Sequence, residues 1–303
     1  MNYSALITYF NSPNLNLAIK SALAQTMKPD EIILVDDHSS VYYQLELERV
    51  ADEYGCIYIR TPTNLGPAGA RNVGIHAAKN NIIMIFDDDD VSLPHRAEVH
   101  LESLESGSQL SYVSSRKIYS NDYSFEAINE AYCGEINPFD LSQWLLMGMQ
   151  NQNFPKIHVP ACCLAFRKDS FQEDEIFDKN FRRLEDVDFA LRASERGKIF
   201  SFSEVVGVVR YASNGSDKSA IAESTAQIQI LSKYKMYFQE NDFNKMKKWY
   251  QIRAYYFSRN YLSLIVSGIL FTLQFGVQWR KLQNGLARIL HDLRKKSKGN
   301  LDE

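Results

Sequence analysis

Residues 82–96 read IIMIFDDDDVSLPHR. Five apolar residues, Ile82 to Phe86, run straight into four aspartates, Asp87 to Asp90. A short apolar run bounded by polar residues predicts a buried strand. Such a strand delivers its carboxylates to its own C-terminal end, where ligands sit in open α/β sheets. Four adjacent carboxylates repel one another. A divalent cation that favours hard oxygen ligands, Mg²⁺ or Mn²⁺, relieves the repulsion and bridges to substrate phosphates. The competing reading is a solvated acidic turn, where most charge runs end.

The chain upstream of this stretch alternates strands with helices. SALIT (4–8) predicts a strand, and 14–24 shows helical spacing with Leu15, Ala18, Ile19, Ala22 and Leu23 on one side. EIILV (31–35) predicts a second strand ending in Asp36 and Asp37, followed by a polar helix over 41–54 and a strand over 56–60. A helix over 68–79 then leads into Ile82. Alternation of this kind implies a parallel sheet with right-handed crossovers. Two of its strands end in carboxylates, and acids converging on one sheet edge outweigh a lone acidic turn.

Downstream, 97–160 is less regular, with a strand over 112–119, a short helix over 139–149 and a turn-rich loop over 151–155. PACCLAF (160–166) is strand-like. A helix is predicted from Glu185, with Glu185 and Asp186 in the first turn, where the helix dipole favours negative charge whether or not they have a catalytic role. Gly197 ends it, and KIFSF and VVGVVRY predict strands. From about Ser216 the pattern is helical. The expected domains are 1–215, with halves 1–110 and 111–215, and a helical region 216–303. Over 261–279, Asn260, Ser263, Ser267, Gln274 and Gln278 form a stripe interrupted only by Leu270. This predicts an amphipathic helix, lying on a membrane or packed on the domain, rather than a span. Seven basic residues from Arg280 to Lys298, with Asp292 the only acid between them, suit anionic headgroups or an ordinary solvated helix.

Composition narrows the function classes. The chain has 303 residues, 45% hydrophobic and 23% charged, which is ordinary for a globular protein. A net charge of −3 supplies no basic footprint for nucleic acid. Cys56, Cys133, Cys162 and Cys163 have no metal-ligand spacing and suit a reducing cytosol. No basic n-region of a signal peptide precedes the first strand.

Taken in order, several segments resemble the family 2 glycosyltransferases over roughly residues 4–215. ALITYFN is similar to the family's opening strand and turn. AIKSALAQTMKPDEIILVDDHSS resembles its Gln-Thr and Val-Asp-Asp-Gly-Ser segment, with His38 where Gly is usual. NLGPAGARNVGIHAA resembles the Asn-x-Gly and Ala-Arg-Asn-x-Gly segment, FDDDDVSLPHR the metal-bearing stretch, and LEDVDFALR the Glu-Asp segment. The resemblance implies a GT-A, Rossmann-like α/β fold: a mostly parallel sheet flanked by helices, with a C-terminal helical extension. It implies inverting transfer from a nucleotide-diphospho-sugar to a glycan or lipid-linked acceptor, aided by Mn²⁺ or Mg²⁺. Thr8 and Phe10 then line the base pocket, Asp37 bonds the base, and Arg71 lies near base or diphosphate. Asp88 faces the ribose, Asp89 is the principal metal ligand, Asp186 is the general base, and Glu185 stands beside it. Three departures are visible: Tyr9-Phe10-Asn11 in the first turn, a missing proline before it, and Ala212-Ser213 where a His is common. Two other classes fit parts of the pattern. ILVDDHSS resembles the paired acids of a Mg²⁺-binding receiver, although a strand–helix unit precedes it here. A non-catalytic nucleotide-sugar binder would lack the metal or base carboxylate, and both are present.

Overall fold

A computed structural model describes residues 1–12, 15–119, 122–126, 134–136, 141–142, 145–146, 157–171, 176–212 and 217–275. The helix expected over 139–149 lies mostly outside these residues, and the loop over 151–155 lies wholly outside them. The basic run from Arg280, Cys133 and Ser213 lie wholly outside them. The chain divides into two compact units, Met1–Asn214 and Gly215–Glu303.

The first unit begins β1 (Tyr3–Tyr9), α1 (Leu15–Leu23), β2 (Glu31–Asp36), α2 (Val41–Tyr54), β3 (Ile57–Arg60), α3 (Gly66–Ala77) and β4 (Ile82–Asp87). It continues β5 (Asp90–Ser92), α4 (Arg96–Glu105), β6 (Leu110–Tyr119), β7 (Asp122–Glu126), β8 (Gly134–Ile136), β9 (Leu164–Arg167), α5 (Glu185–Glu195) and β10 (Phe200–Ala212). The strands form one sheet in the order β3-β2-β1-β4-β9-β6-β10-β5, with β7 on β6 and β8 on β10.

The run β3-β2-β1-β4 is parallel throughout, as the strand–helix alternation requires. Their register decides where the chemistry sits. Thr8 lies opposite Val35 on one side and Asp87 on the other, and Tyr9 lies opposite Asp36. The acids ending β2 and β4 therefore reach the same sheet edge. A receiver would begin with the strand carrying the paired acids, but here β1 lies between that strand and β4.

The second half of the sheet is mixed. β6 and β10 are parallel to each other, whereas β9 enters antiparallel between β4 and β6. PACCLAF is a strand only from Leu164, because Ala161–Cys163 closes a 3₁₀ turn first. KIFSF and VVGVVRY are one continuous strand, β10, broken only by register shifts near Ser203 and Val206. Helix α4 is not expected from the pattern. Its inward face carries Ala97, Leu101 and Leu104, but also Arg96 and His100, both fully buried. Two polar residues on a core face erase the apolar periodicity by which a helix is read. Arg96 donates to Ile85 O at 2.6 Å and Ser92 Oγ at 2.7 Å, and its guanidinium covers the Phe86 ring. It therefore ties α4 to both strands flanking the acidic turn.

The second unit contains α6 (Asp217–Lys233), α7 (Glu240–Phe257) and α8 (Tyr261–Phe275). No helix among the described residues is long and apolar enough to cross a membrane.

Candidate active site

The acidic stretch folds as its pattern demands. Ile82 to Phe86 are buried in β4, Asp88 and Asp89 make a turn, and Asp90 opens β5. Three of the four acids line a cleft and the fourth turns away from it. Asp88 and Asp89 line a cleft of about 400 Å³ together with Thr8, Phe10, Asp37, Arg71, Asp87 and Arg182. Asp90 is buried beside Arg210 of β10, 3.4 Å away. Asp87 accepts a bond from Arg71 Nη2 at 3.1 Å.

Burial and neighbouring carboxylates set the protonation of these groups. Asp88 is pushed up to about 7, by burial first and then by Asp89 and Asp87. Asp89 is raised by burial and then by Asp87, with Arg210 opposing. Asp90 is pushed up to about 7, chiefly by burial. Two carboxylates open to a cleft fit a hard divalent cation, whose charge would hold both of them ionised. A second group, Asp87, Asp90 and Cys162, has ligand atoms within 4.8 Å of one another. It fits Mg²⁺ or Mn²⁺ poorly. Both of its carboxylates face arginines, and the Cys162 thiol, held protonated by its Cys163 hydrogen bond and by burial, is a soft neutral donor. Cys162 stands more than seventy residues from the aspartates, so no spacing could reveal it.

The Asn-x-Gly and Ala-Arg-Asn-x-Gly residues each have a local task. Asn64 Nδ2 donates to Asp37 O, and the backbone N–H groups of Leu65 and Gly66 donate to the two Asp37 carboxylate oxygens at 2.7 and 2.8 Å. Thr61 adds a third bond to that carboxylate. Asp37 thus anchors the loop that starts α3, and it lines the cleft with what remains of a carboxylate's roughly four acceptor sites. The neighbouring Asp36 is fully buried and is taken up by Arg60, Tyr58 and the Ser39 N–H, so it is structural. His38, at φ 63, adopts a left-handed turn that glycine enters at less cost. Gly74 lets α3 lie close on the sheet, since a Cβ there would fall 2.1 Å from Leu6 Cδ1. Asn72 exchanges two bonds with the Phe177 backbone, at 2.7 and 2.9 Å, and so fixes the segment leading to α5.

Arg71 joins the two halves of the site. Its guanidinium is buried and bonds Glu185 through Nη1 and Asp87 through Nη2. Removing one partner from a buried pair typically costs roughly 3–5 kcal/mol, so the carboxylates on both sides hold this arginine in place. Glu185 and Asp186 open α5 directly after Leu184, whose φ of 62 is unusual for a leucine and turns the chain sharply into the helix. Asp186 is half-buried and accepts a bond from the Val187 N–H at 2.8 Å. It is pushed up to about 7 by burial and by Glu185, against the opposing charge of Arg71. Asp186 is not among the residues lining the cleft. Its connection to the cleft runs through Glu185 and Arg71. Of the residues expected at the site, Thr8, Phe10, Asp37, Arg71, Asp88 and Asp89 share one cleft, and Glu185 touches it through Arg71. Arg182, which lines the cleft too, carries no sequence signal beyond its place three residues before Glu185.

Comparison with known proteins bears on the family and the fold. Residues 4–174 match the family described as Glycosyl transferase family 2, more than half of the chain. A glycosyltransferase of Haemophilus influenzae described as uncharacterized is 26% identical over 230 residues, 73% of this chain and 71% of that protein. An amylovoran biosynthesis glycosyltransferase of Erwinia amylovora is 27% identical over 171 residues, 55% of this chain and 60% of that one. The solved structure of S. aureus TarS residues 1–349 in complex with UDP-GlcNAc overlays with a TM-score of 0.57 at 15% identity, covering 90% of this chain and 81% of that one. At that identity the overlay speaks to the fold, which is GT-A. By the match to its N-terminal half and beyond, the chain belongs to glycosyl transferase family 2 and is a glycosyltransferase.

Proposed function

We propose that this enzyme moves a sugar from a nucleotide-diphospho-sugar to a hydroxyl of a glycan or lipid-linked acceptor, with inversion, in cell-surface polysaccharide synthesis. The observation that carries the reading is the Glu185–Arg71–Asp87 bridge, which couples the acid-lined cleft to the helix start bearing Asp186. The UDP-GlcNAc in the TarS complex supports the donor class, and the amylovoran relative supports the pathway.

In the reaction, the bond between the anomeric carbon and the β-phosphate oxygen breaks, and its electron pair leaves with the nucleoside diphosphate. The acceptor oxygen bonds the same carbon from the opposite face, and its proton passes to Asp186. Asp89, with Asp88 beside it, would hold a Mn²⁺ or Mg²⁺, which supplies charge neutralisation for the leaving diphosphate. Thr8, Phe10 and Asp37 would border the base, and Asp88 the ribose. Glu185 would hold Arg71 rather than move protons.

A base that titrates near 7 gives a testable pH profile. Asp186 is raised by burial and by Glu185, while Arg71 and the distant Tyr112 hydroxyl face it from other elements. Only its ionised form accepts a proton, so kcat rises with pH through about 7 and falls roughly tenfold per unit below it. A flat profile between pH 5 and 8 removes Asp186 from the role. Stereochemistry tests the class of reaction. Product of opposite anomeric configuration to the donor, read by NMR, supports inversion, and retained configuration refutes it.

The second unit suggests where the acceptor is met. In α8, Leu264, Gly268 and Phe271 are buried, and Phe271 meets Trp249 of α7. Leu262, Ile265, Val266, Ile269, Leu270 and Leu273 are all exposed, Leu262 and Leu273 at 77%. The described part of the expected polar stripe on this helix, Ser263, Ser267 and Gln274, therefore runs along one flank, between a buried and an exposed apolar face, and Gln278 lies outside the described residues. Lys248 borders that flank, donating to Gln274. An apolar arc edged by lysine, followed in sequence by seven basic residues, suits an anionic bilayer surface. Peripheral attachment at the cytoplasmic face of a membrane follows from this reading. Full-length protein is expected to sediment with phosphatidylglycerol-containing vesicles, and far less with phosphatidylcholine alone. The Leu262→Ser/Leu273→Ser variant should lose most of that binding. Unchanged sedimentation of the variant, or a change in its oligomeric state instead, sinks the assignment.

A further inference from the structure

We infer that Arg182 is the cation that binds the donor's diphosphate and stays on it as the nucleoside diphosphate leaves. The inference rests on the nucleotide-sugar reading above and extends it to a residue outside the family motifs.

The charges around the cleft point to it. The lining carries four carboxylates, Asp37, Asp87, Asp88 and Asp89, and two guanidinium groups, Arg71 and Arg182. An anionic ligand entering such a cleft needs positive charge that is not already neutralised. Arg71 does not offer it, because it is buried with Glu185 and Asp87 on its two terminal nitrogens. Arg182 does. It is exposed, and it donates only to neutral oxygens: Asn64 Oδ1 at 2.8 Å and the Asn64 carbonyl at 3.3 Å. Among the described residues no carboxylate pairs with it.

Its position is also built. Gly66, at φ 78, leaves room for the Arg182 side chain to lie across the loop; a Cβ there would stand 2.6 Å from Nη1. The Asn72–Phe177 exchange fixes the chain before Arg182, and the left-handed turn at Leu184 fixes it after. The loop that Arg182 covers is the one Asp37 holds by two backbone N–H groups. A guanidinium fork delivered this way matches phosphate oxygens bidentately, which a lysine cannot do. The alternative is that Arg182 is only a clasp on residues 64–66. The two roles differ in what they do to a nucleoside without phosphates.

Calorimetry with Mn²⁺ present, on wild type and Arg182→Gln, separates them. The probes are UDP and uridine, with GDP and guanosine as a second pair. For whichever diphosphate binds, the variant should weaken Kd about tenfold, the size of one charge-assisted contact, with the nucleoside's Kd unchanged. Arg182→Lys should recover only part of the loss. Equal diphosphate affinity in wild type and Arg182→Gln overturns the assignment. Parallel weakening of nucleoside and diphosphate also overturns it and makes Arg182 a clasp. If the wild type binds neither of these nor any other nucleoside diphosphate of a panel covering the remaining bases, the donor reading itself fails and Arg182 falls with it.

Discussion

Asp186→Asn is expected to lower kcat by roughly 10²–10⁴-fold while leaving donor affinity near that of the wild type, the size of a general-base contribution. The substitution keeps shape. An asparagine carbonyl still accepts from the Val187 N–H that meets Asp186 Oδ1. What is lost is a carboxylate able to take a proton at neutral pH. Asp186 suits that task because burial and Glu185 push it to about 7, well above an ordinary aspartate. Glu185→Gln makes the contrast. It weakens the bond to buried Arg71, so it should lower stability and donor affinity together. Full turnover by Asp186→Asn would remove Asp186 from catalysis.

The second large effect is expected at Asp89. Asp89→Ala should cost about 10²–10³-fold in kcat, by analogy with removing one preorganised electrostatic contact. It should also abolish the dependence of donor binding on Mn²⁺. The control is Asp90→Asn. Asp90 is buried against Arg210 and Cys162, so its loss should appear in thermal stability and leave the Mn²⁺ response intact. Near-normal activity of Asp89→Ala with unchanged metal dependence would place the cation elsewhere.

The parallel half of the fold is legible in the sequence because its signals are local. Each of β1, β2 and β4 is built on a short apolar run, and the acids at the ends of β2 and β4 mark one sheet edge by their chain positions alone. Asp36 shows the limit of that logic. It sits at the same edge as Asp37, yet it is buried under Arg60 and Tyr58, a pairing across β3 that the sequence order hides. Helix α4 escapes notice because Arg96 and His100 occupy its core face, held by hydrogen bonds rather than by apolar packing. The antiparallel entry of β9 depends on a long connection, and long-range pairing leaves no periodic trace. The site behaves in the same way. Resemblance places the motif residues, but it does not supply the partners that give them their charge state. Arg71 takes Glu185 from 114 residues away, Cys162 arrives from the 3₁₀ turn before β9, and Arg182 is set by Gly66 and Asn64.

On the proposed function, the cleft over Asp88 and Asp89 receives a nucleotide-diphospho-sugar with a divalent cation. Thermal unfolding of the wild type against a panel of nucleotide-sugars, with and without Mn²⁺, tests it most directly. A ligand that binds only the native state at about 100 times its Kd stabilises by roughly 2.7 kcal/mol. For a unit of this size that is a rise of about 5–10 °C in Tm. Such a rise is expected for one nucleotide-sugar, present with Mn²⁺ and largely lost in EDTA or in Asp89→Ala. No shift with any nucleotide-sugar, or a shift indifferent to both Mn²⁺ and Asp89, would contradict it.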